Sequence, residues 1–548
     1  MAHIEINKKE FDNLVGEEIT EEKLTEEASL MGAHWNHVEG KKWDVEVYPN
    51  RPDLLSVEGL ARAYRGFFEI DEGLERYSIE KGDVSVEIDE SVEDVRPYIG
   101  GAVVRDLELS DRIINGLIQL QEKMHETLGR RRDKLAIGLH DLSTVEAPFT
   151  YKAVEPEKVA FTPLEYDRDM ALGEILEEHE KGRKYSWILE DEDRYPIIQD
   201  SKGKVLSFPP IINNQLTEVD EGTTDIFVDV TGKDRQTVQK ALNILTTALA
   251  ERGGQIESVN VGGEKMPDLS PEKTELEIDY LKDVAGVYWT PKEAAYSLEK
   301  MKFGAKKKGD SKIKVKVPCY RTDVMHDYDL IEDVVIAHRY DNIEPRMPEI
   351  DQIADQKDIE ELTDLVREVI VGSGALEAHT FILSSKDKLF EKMEKSEEPI
   401  VEMSNALTED YSAVRNWLLP SMLEVLEQNK HHSYPQEFFE AEDVAILGDS
   451  STGSSNKKKL SYVISDNEVD FTQARETLQV LERDLGVEFE IKPDEKEWFA
   501  TNRSADIFLN GKKVGIIGEL SEKVRSNWEL EMPVAAFEMD LEKLKDIR

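Results

Sequence analysis

The sequence predicts a multidomain protein of mixed α+β and α/β class, and three observations carry that prediction. The chain has 548 residues, too many for one hydrophobic core of ordinary size. Apolar residues make up 39% of it, enough for packed domains. Short alternating runs give way repeatedly to glycine or proline breaks and then to runs of helical period.

The elements follow in order. "AHIEINKKEF" alternates as a strand, and "TEEKLTEEASLMG" opens an acidic helix. "WDVEVY" is a second strand, "NRP" breaks it, and Asp53 is placed to cap a helix carrying Leu54, Val57, Leu60, Ala61 and Tyr64 on one stripe. These form an N-terminal α/β domain over residues 1–85. A domain over 86–265 holds "YIGGAVVRDLEL", a helix capped by Ser110, and "TDIFVDVTGKDRQTVQKALNILTTALAERGG". In the last run Asp234 starts a helix bearing Val238, Leu242, Leu245 and Leu249, and Gly253 and Gly254 stop it. A domain over 270–348 contains the strand pattern Ile313, Val315, Val317 inside a lysine-rich run. The domain over 355–548 begins with the helix "DIEELTDLVREVIVGSG" and includes the segment at 449–459, the clearest flexible loop by composition.

Charge sets further bounds. The chain carries 116 acids against 69 bases, net −47, spread through periodic segments rather than gathered in a tail. That distribution fits a folded protein of a very salty cytoplasm, where the screening length falls to about 3 Å at 1 M salt. The single cysteine, Cys319, excludes an intrachain disulfide and a Cys-ligated zinc site. No apolar run approaches the ~18 residues of a membrane span, and the N-terminus lacks a signal core, so a soluble cytoplasmic protein without membrane contact is expected. There is no GxxxxGK[ST] loop, no GxGxxG after a strand, no HExxH and no nucleophile elbow. His140, in "IGLHDL", reads as a structural histidine.

Two constellations stand out. In "FPPIINNQLTEVDEGTTDIFVDVTG" a buried strand delivers Asp229 and Thr231 on the same side of its end. Polar residues there line a ligand site, or they merely precede the Gly232 turn and the Asp234 cap; spacing does not decide. In "YRTDVMHDYDLIEDVVIAHRYDNIEP", Asp329, Glu332 and Asp333 stand at i, i+3 and i+4 and repel on one helix face. Asp329 as N-cap with Glu332 at N3 is a capping-box reading. A hard cation held by carboxylate oxygens and water is the other, with Asp323 converging on the first helical turn. The basic islands "GRRRDKLAIGLHDL" and "KKKGDSKIKVK" read, taken singly, as solvated loops, though local Lys and Arg are what phosphate contacts require.

"YPNRPDLLSVEGLARAYRG", "AIGLHDLSTVEAPFTYKAV", "SFPPIINNQLTEVDEGTTDIFVDVTGKD", the acidic stretch and "YSAVRNWLLPSMLEVLEQNKHHSYPQEFFEAEDV" occur in the order of one family. Together they resemble the β subunit of phenylalanyl-tRNA synthetase, in its archaeal and eukaryotic form, over nearly the whole chain. The resemblance implies a ligase subunit: phenylalanine is joined to tRNA(Phe) on a separate α subunit, which binds the ATP, within an (αβ)2 tetramer. It implies that 86–265 is an editing (B3/4-like) domain that hydrolyses mischarged Tyr-tRNA(Phe), with Ser207, Asp229 and Thr231 in its pocket. It implies a B5-like small domain at 270–348 with Mg2+ on Asp323, Asp329, Glu332 and Asp333, but not Asp327. It implies a class II synthetase-like antiparallel-sheet domain at 355–548 that is catalytically inactive. The residues support that last point. Class II chemistry needs arginines on the ATP phosphates, yet "FFEAEDV" has no Arg–x–Glu pair and "VGIIGELSEKV" no arginine after its glycines. Two readings from other classes stand beside this one: a stand-alone hydrolase of mischarged tRNA, and an acidic scaffold with no RNA role.

Overall fold

The computed structural model describes residues 2–39 and 42–547. The chain divides into two compact units, Met1–Met347 and Pro348–Arg548. Among the described residues no helix is long and apolar enough to cross a membrane.

The first unit opens with a three-stranded antiparallel sheet in which Lys42–Val47 lies between Ala2–Asn7 and Ala33–Glu39. Alternation sends Ile4, Ile6, Val45 and Val47 to a core shared with the helix Val57–Phe67. Trp35 Nε1 donates to the Tyr64 hydroxyl, which donates to the Ala28 carbonyl, so the two polar tips in this aromatic core are satisfied. The helix is capped by Ser56, whose hydroxyl accepts from Gly59 N–H at 3.1 Å, and not by Asp53. Arg51 takes both oxygens of Asp53, at 2.9 and 2.8 Å, which leaves that carboxylate nothing with which to cap.

The large sheet of this unit runs through nine strands from Ile212–Asn213 to Leu135–Asp141, with Ile226–Gly232 next to last. Twist accumulates over so many strands, and the sheet curls until its two ends meet. Asn213 Nδ2 donates to Leu139 O at 3.4 Å, and Arg132 Nη1 donates to Ile211 O at 2.7 Å. Phe149, Phe208, Phe227 and Val259 fill the space inside the curl. The helix Arg235–Ala250 packs against Tyr98–Arg105 and Ile226–Gly232, and Asp234 caps it by accepting from Thr237 N–H, as the sequence predicts. Ser110 holds the N-cap position of Asp111–Glu126 without a capping bond; the Glu221 carboxylate accepts from Asp111 N–H nearby.

Long-range ion pairs tie these parts together. Arg252, just past the helix Arg235–Ala250, reaches Glu58 at 2.5 Å and Glu10 at 2.6 Å, and Arg65 reaches Glu251 at 2.7 Å. The last part of the unit is the three-stranded sheet Glu272–Glu277, Lys312–Val317, Gly304–Lys308, with the helices Ile278–Ala285, Pro291–Lys300 and Asp327–His338. Its lysine run is a strand that buries Ile313, Val315 and Val317; Lys308 and Lys312 pair with Glu275 and Glu277 on the facing strand.

The second unit is a seven-stranded sheet, antiparallel apart from its short first pair. Its strands include Gln436–Leu447, Ser454–Ser465, Val534–Asp540 and Lys512–Leu520. One face packs on the helices Asp358–Gly372 and Phe471–Leu485, the other on Trp417 and the helix Leu419–Asn429. The supposed flexible loop at 449–459 is a tight turn around Gly453, after which Ser454–Ser465 is a strand. Its lysines look like loop residues in composition, but Lys458 lies 3.5 Å from Asp443 on the neighbouring strand.

Candidate functional site

The cavity where the sheet closes on itself measures about 270 Å3. Ser207, Asp229 and Thr231 all line it, so residues from the second and the eighth strands of the path meet there. Ser207 is 2% exposed, and its Oγ has no hydrogen-bond partner. A buried hydroxyl left in this state is a group awaiting a ligand or a water.

Asp229 sits in register between Gly101 and Gly138 on the flanking strands. A Cβ on Gly138 would lie 2.0 Å from Asp229 Oδ2 and 2.6 Å from His140 Nε2, so the glycine is what gives this carboxylate its room. His140 Nε2 is 2.8 Å from Asp229 Oδ2, and His140 Nδ1 is 2.9 Å from Thr217 Oγ1. A carboxylate only accepts, so Nε2 carries the proton of that bond. Asp229 Oδ1 has no partner among the described residues and remains available on the cavity side. The Thr231 hydroxyl accepts from Arg96 Nε at 3.1 Å, and Arg96 also donates to the carbonyls of Thr231, Arg132 and Asp133. Burial lowers Arg96 to about 10, which still leaves it charged at neutral pH.

The first basic island is not a solvated loop at its end. Arg130, Arg131 and Arg132 all have positive φ, at 47°, 58° and 69°, a conformation that non-glycine residues hold only under constraint. The constraint is Arg132, which is buried against Tyr185 and bonded to Pro210 O, Ile211 O and Glu122. On the same wall His125 Nε2 accepts from Ile137 N–H at 2.8 Å. Burial lowers His125 to about 4, so it is neutral at pH 7.

The acids of the second constellation are arranged otherwise. Arg321 donates through Nε and Nη2 to Asp323, at 2.8 and 2.7 Å, and through Nη1 and Nη2 to Asp333, at 3.3 and 2.7 Å. Asp329 is not an N-cap. The helix begins at Asp327, three residues ahead of the capping-box reading, and Asp329 at N3 accepts from Met325 and His326 N–H. Glu332 points to solvent. Burial pushes Asp333 up to about 6 against the pull of Arg321; burial also raises Asp323, but Arg321 and Arg51 outweigh it and hold it below the usual carboxylate range. As placed, the four carboxylates do not fit a magnesium ion. A guanidinium already neutralises two, the third serves the backbone, and among the described residues no group of three or more His, Cys, Asp or Glu is arranged to hold a metal.

Three family models match the chain: "B3/4 domain" over 105–269, "tRNA synthetase B5 domain" over 274–340, and "Phenylalanyl tRNA synthetase beta chain CLM domain" over 343–541. The phenylalanine–tRNA ligase beta subunit of Thermococcus sibiricus is 42% identical over 99% of this chain and 98% of its own length. That of Archaeoglobus fulgidus is 42% identical over 98% and 97%. The chain belongs to the phenylalanine–tRNA ligase beta subunit family. It is thus of the kind that forms part of an aminoacyl-tRNA synthetase, a ligase of protein biosynthesis. An N-terminal fragment of the phenylalanyl-tRNA synthetase beta subunit of Pyrococcus horikoshii has a similar structure, with TM-score 0.59 and 39% identity, over 62% of this chain and 99% of that one.

For this beta-subunit family member, the cavity lies within the B3/4 match and the Arg321 clasp within the B5 match. The structure brings Ser207, Asp229 and Thr231 together and does not bring Asp323, Asp329, Glu332 and Asp333 together as ligands. Sequence reasoning missed Gly138, His140 and Arg321. The signal for the first two was the tripeptide spacing Gly138–x–His140, which puts both on one strand face; the signal for Arg321 was its place two residues before Asp323.

Proposed function

We propose that the chain is the non-aminoacylating, editing subunit of a phenylalanine–tRNA ligase. It supports ATP-dependent attachment of phenylalanine to tRNA(Phe) on an α subunit, in an (αβ)2 tetramer, and it hydrolyses Tyr-tRNA(Phe). The observation that carries the editing half is the meeting of Ser207, Asp229 and Thr231 on one cavity. A phenol hydroxyl entering it finds the unpartnered Ser207 Oγ and the open oxygen of Asp229; a phenyl ring leaves both unpaired. Sites built to hydrogen-bond a hydroxyl discriminate against the analogue that lacks it far better than apolar pockets reject one that has it. Hydrolysis then needs a water at the ester carbonyl: its oxygen bonds to the carbonyl carbon, the carbon–oxygen bond to the ribose breaks, and the ribose oxygen takes a proton. Arg96 fixes Thr231 and His140 fixes Asp229, so the cavity wall is set before substrate arrives.

The α-subunit half has support in the second unit, where Leu376, Phe381 and Leu407 are 65%, 75% and 102% exposed. Exposed large apolar residues mark contact surfaces. The buried Arg415 cannot reach an ATP phosphate, since Glu440, Thr380 and the Asp443 carbonyl take its donors. Asp229→Ala tests the reading in the reconstituted tetramer. We expect Tyr-tRNA(Phe) hydrolysis to fall by about 100-fold and Phe-tRNA(Phe) synthesis to stay within about twofold. Unchanged hydrolysis refutes the editing assignment.

A further inference from the structure

A cleft of about 310 Å3 opens in the second unit, on the sheet face that carries Trp417. Its wall reverses the charge balance of the chain. Acids outnumber bases 116 to 69 overall, but here five lysines (395, 459, 496, 513 and 543) face three acids (398, 538 and 540). The ammonium groups are held in place. Lys459 meets Glu538 at 2.9 Å and the Asn416 carbonyl at 3.2 Å. Lys496 and Lys513 converge on Asp506, at 3.3 and 2.7 Å, and Lys496 also meets Asp494. Lys543 lies 3.6 Å from Asp540. Each ammonium has three donors, so these partners position the lysines without exhausting them.

Two polar atoms of the same wall are buried and have no partner: Asn416 Oδ1, in a residue 8% exposed, and Trp498 Nε1. The Asn416 amide is oriented by Glu398, which accepts from Nδ2 at 2.6 Å and so leaves the oxygen as the orphan. Trp417 and Trp498 pack edge to face with centroids 5.3 Å apart, which sets aromatic surface beside the lysines. A ligand that completes this wall is anionic at one end and flat at the other, and its flat end offers one donor and one acceptor side by side. A purine base has such an edge, adenine presenting an amino donor beside a ring-nitrogen acceptor. Lysine is a phosphate point charge, and indole is a platform for bases.

We propose that this cleft binds a purine nucleoside monophosphate as a free small molecule. The phosphate lies among Lys496, Lys513 and Lys543, the base lies against Trp498, and its polar edge meets Asn416 Oδ1 and Trp498 Nε1. The site is separate from the editing cavity and does not depend on the editing reading. Equilibrium dialysis of the full chain tests it, with AMP, adenosine and inorganic phosphate as probes in about 0.2 M salt, where long-range repulsion by the acidic surface is screened. We expect AMP to bind at least about tenfold more tightly than either half-molecule. Lys513→Glu with Lys543→Glu, at side chains 42% and 58% exposed, lowers AMP affinity about tenfold or more without moving the melting temperature. Trp498→Phe keeps the ring, removes the donor and lowers AMP affinity while leaving phosphate binding unchanged. The proposal is overturned if AMP is not retained, if phosphate binds as tightly as AMP, or if the double variant binds AMP normally. Displacement of AMP by tRNA also overturns it, by assigning the chemistry to an RNA end.

Discussion

Asp229 and Asp333 are both 2% exposed, and they end in opposite situations. Asp333 spends both oxygens on Arg321. Asp229 spends one on His140 and keeps the other for the cavity. Burial is therefore not what marks a functional carboxylate here. The partner decides: a bidentate guanidinium saturates an acid, whereas a single imidazole nitrogen orients it and leaves lone pairs for something else.

The contrast is easiest to break at Arg321. Arg321→Met leaves Asp323 and Asp333 buried without their cation and should cost about 3–5 kcal/mol, read as a shift in the denaturant midpoint. A loss below about 1 kcal/mol would show that the clasp does not hold this region. His125, on the cavity wall, gives the next largest effect. Its folded value of about 4 lies below the ordinary histidine value, so the folded state binds fewer protons than the unfolded one. The stability it contributes is present above about pH 6.5 and is lost as pH falls toward 4, by about 3 kcal/mol in total. His125→Gln should flatten that part of the stability profile, and an unaltered profile would remove His125 as its source. Gly138→Ala presses a methyl group against Asp229. It should cost about 1–3 kcal/mol and reduce Tyr-tRNA hydrolysis, with Phe-tRNA synthesis spared. Glu332→Ala, at an exposed position, should change stability by less than about 0.5 kcal/mol, with or without added magnesium. A magnesium-dependent change would reopen the acidic stretch as a metal site.

Local signals in the sequence were read with uneven success, and the reason is visible in the residues. The Asp234 cap was legible because its partner, Thr237 N–H, is three residues away. The Ser110 capping bond failed because Glu221, far along the chain, takes the neighbouring N–H. Asp53 and Asp329 were both placed as caps, and both are diverted, one by an arginine and one by a helix that starts earlier than its acids suggest. The multidomain α+β class followed from periodicity. The curl that joins Ser207 to Asp229 did not, because it arises from twist summed over many strands. The family resemblance supplied Ser207, Asp229 and Thr231, and supplied equally the four acids that the fold does not assemble. His140 bonds to a residue 89 positions away, a pairing no local pattern encodes.

The ion pairs from Arg252 to Glu58 and Glu10 span 194 and 242 positions of sequence. The strand Gln255–Val261 likewise pairs with Ile79–Glu80 and Ser85–Ile88. The N-terminal sheet and its helix therefore wait for their tethers until more than 250 residues have been synthesised. At about 5–20 residues per second that delay lasts roughly ten to fifty seconds, during which apolar faces formed early have no permanent cover. High contact order of this kind makes the nascent chain, rather than the finished protein, the stage most exposed to misassembly.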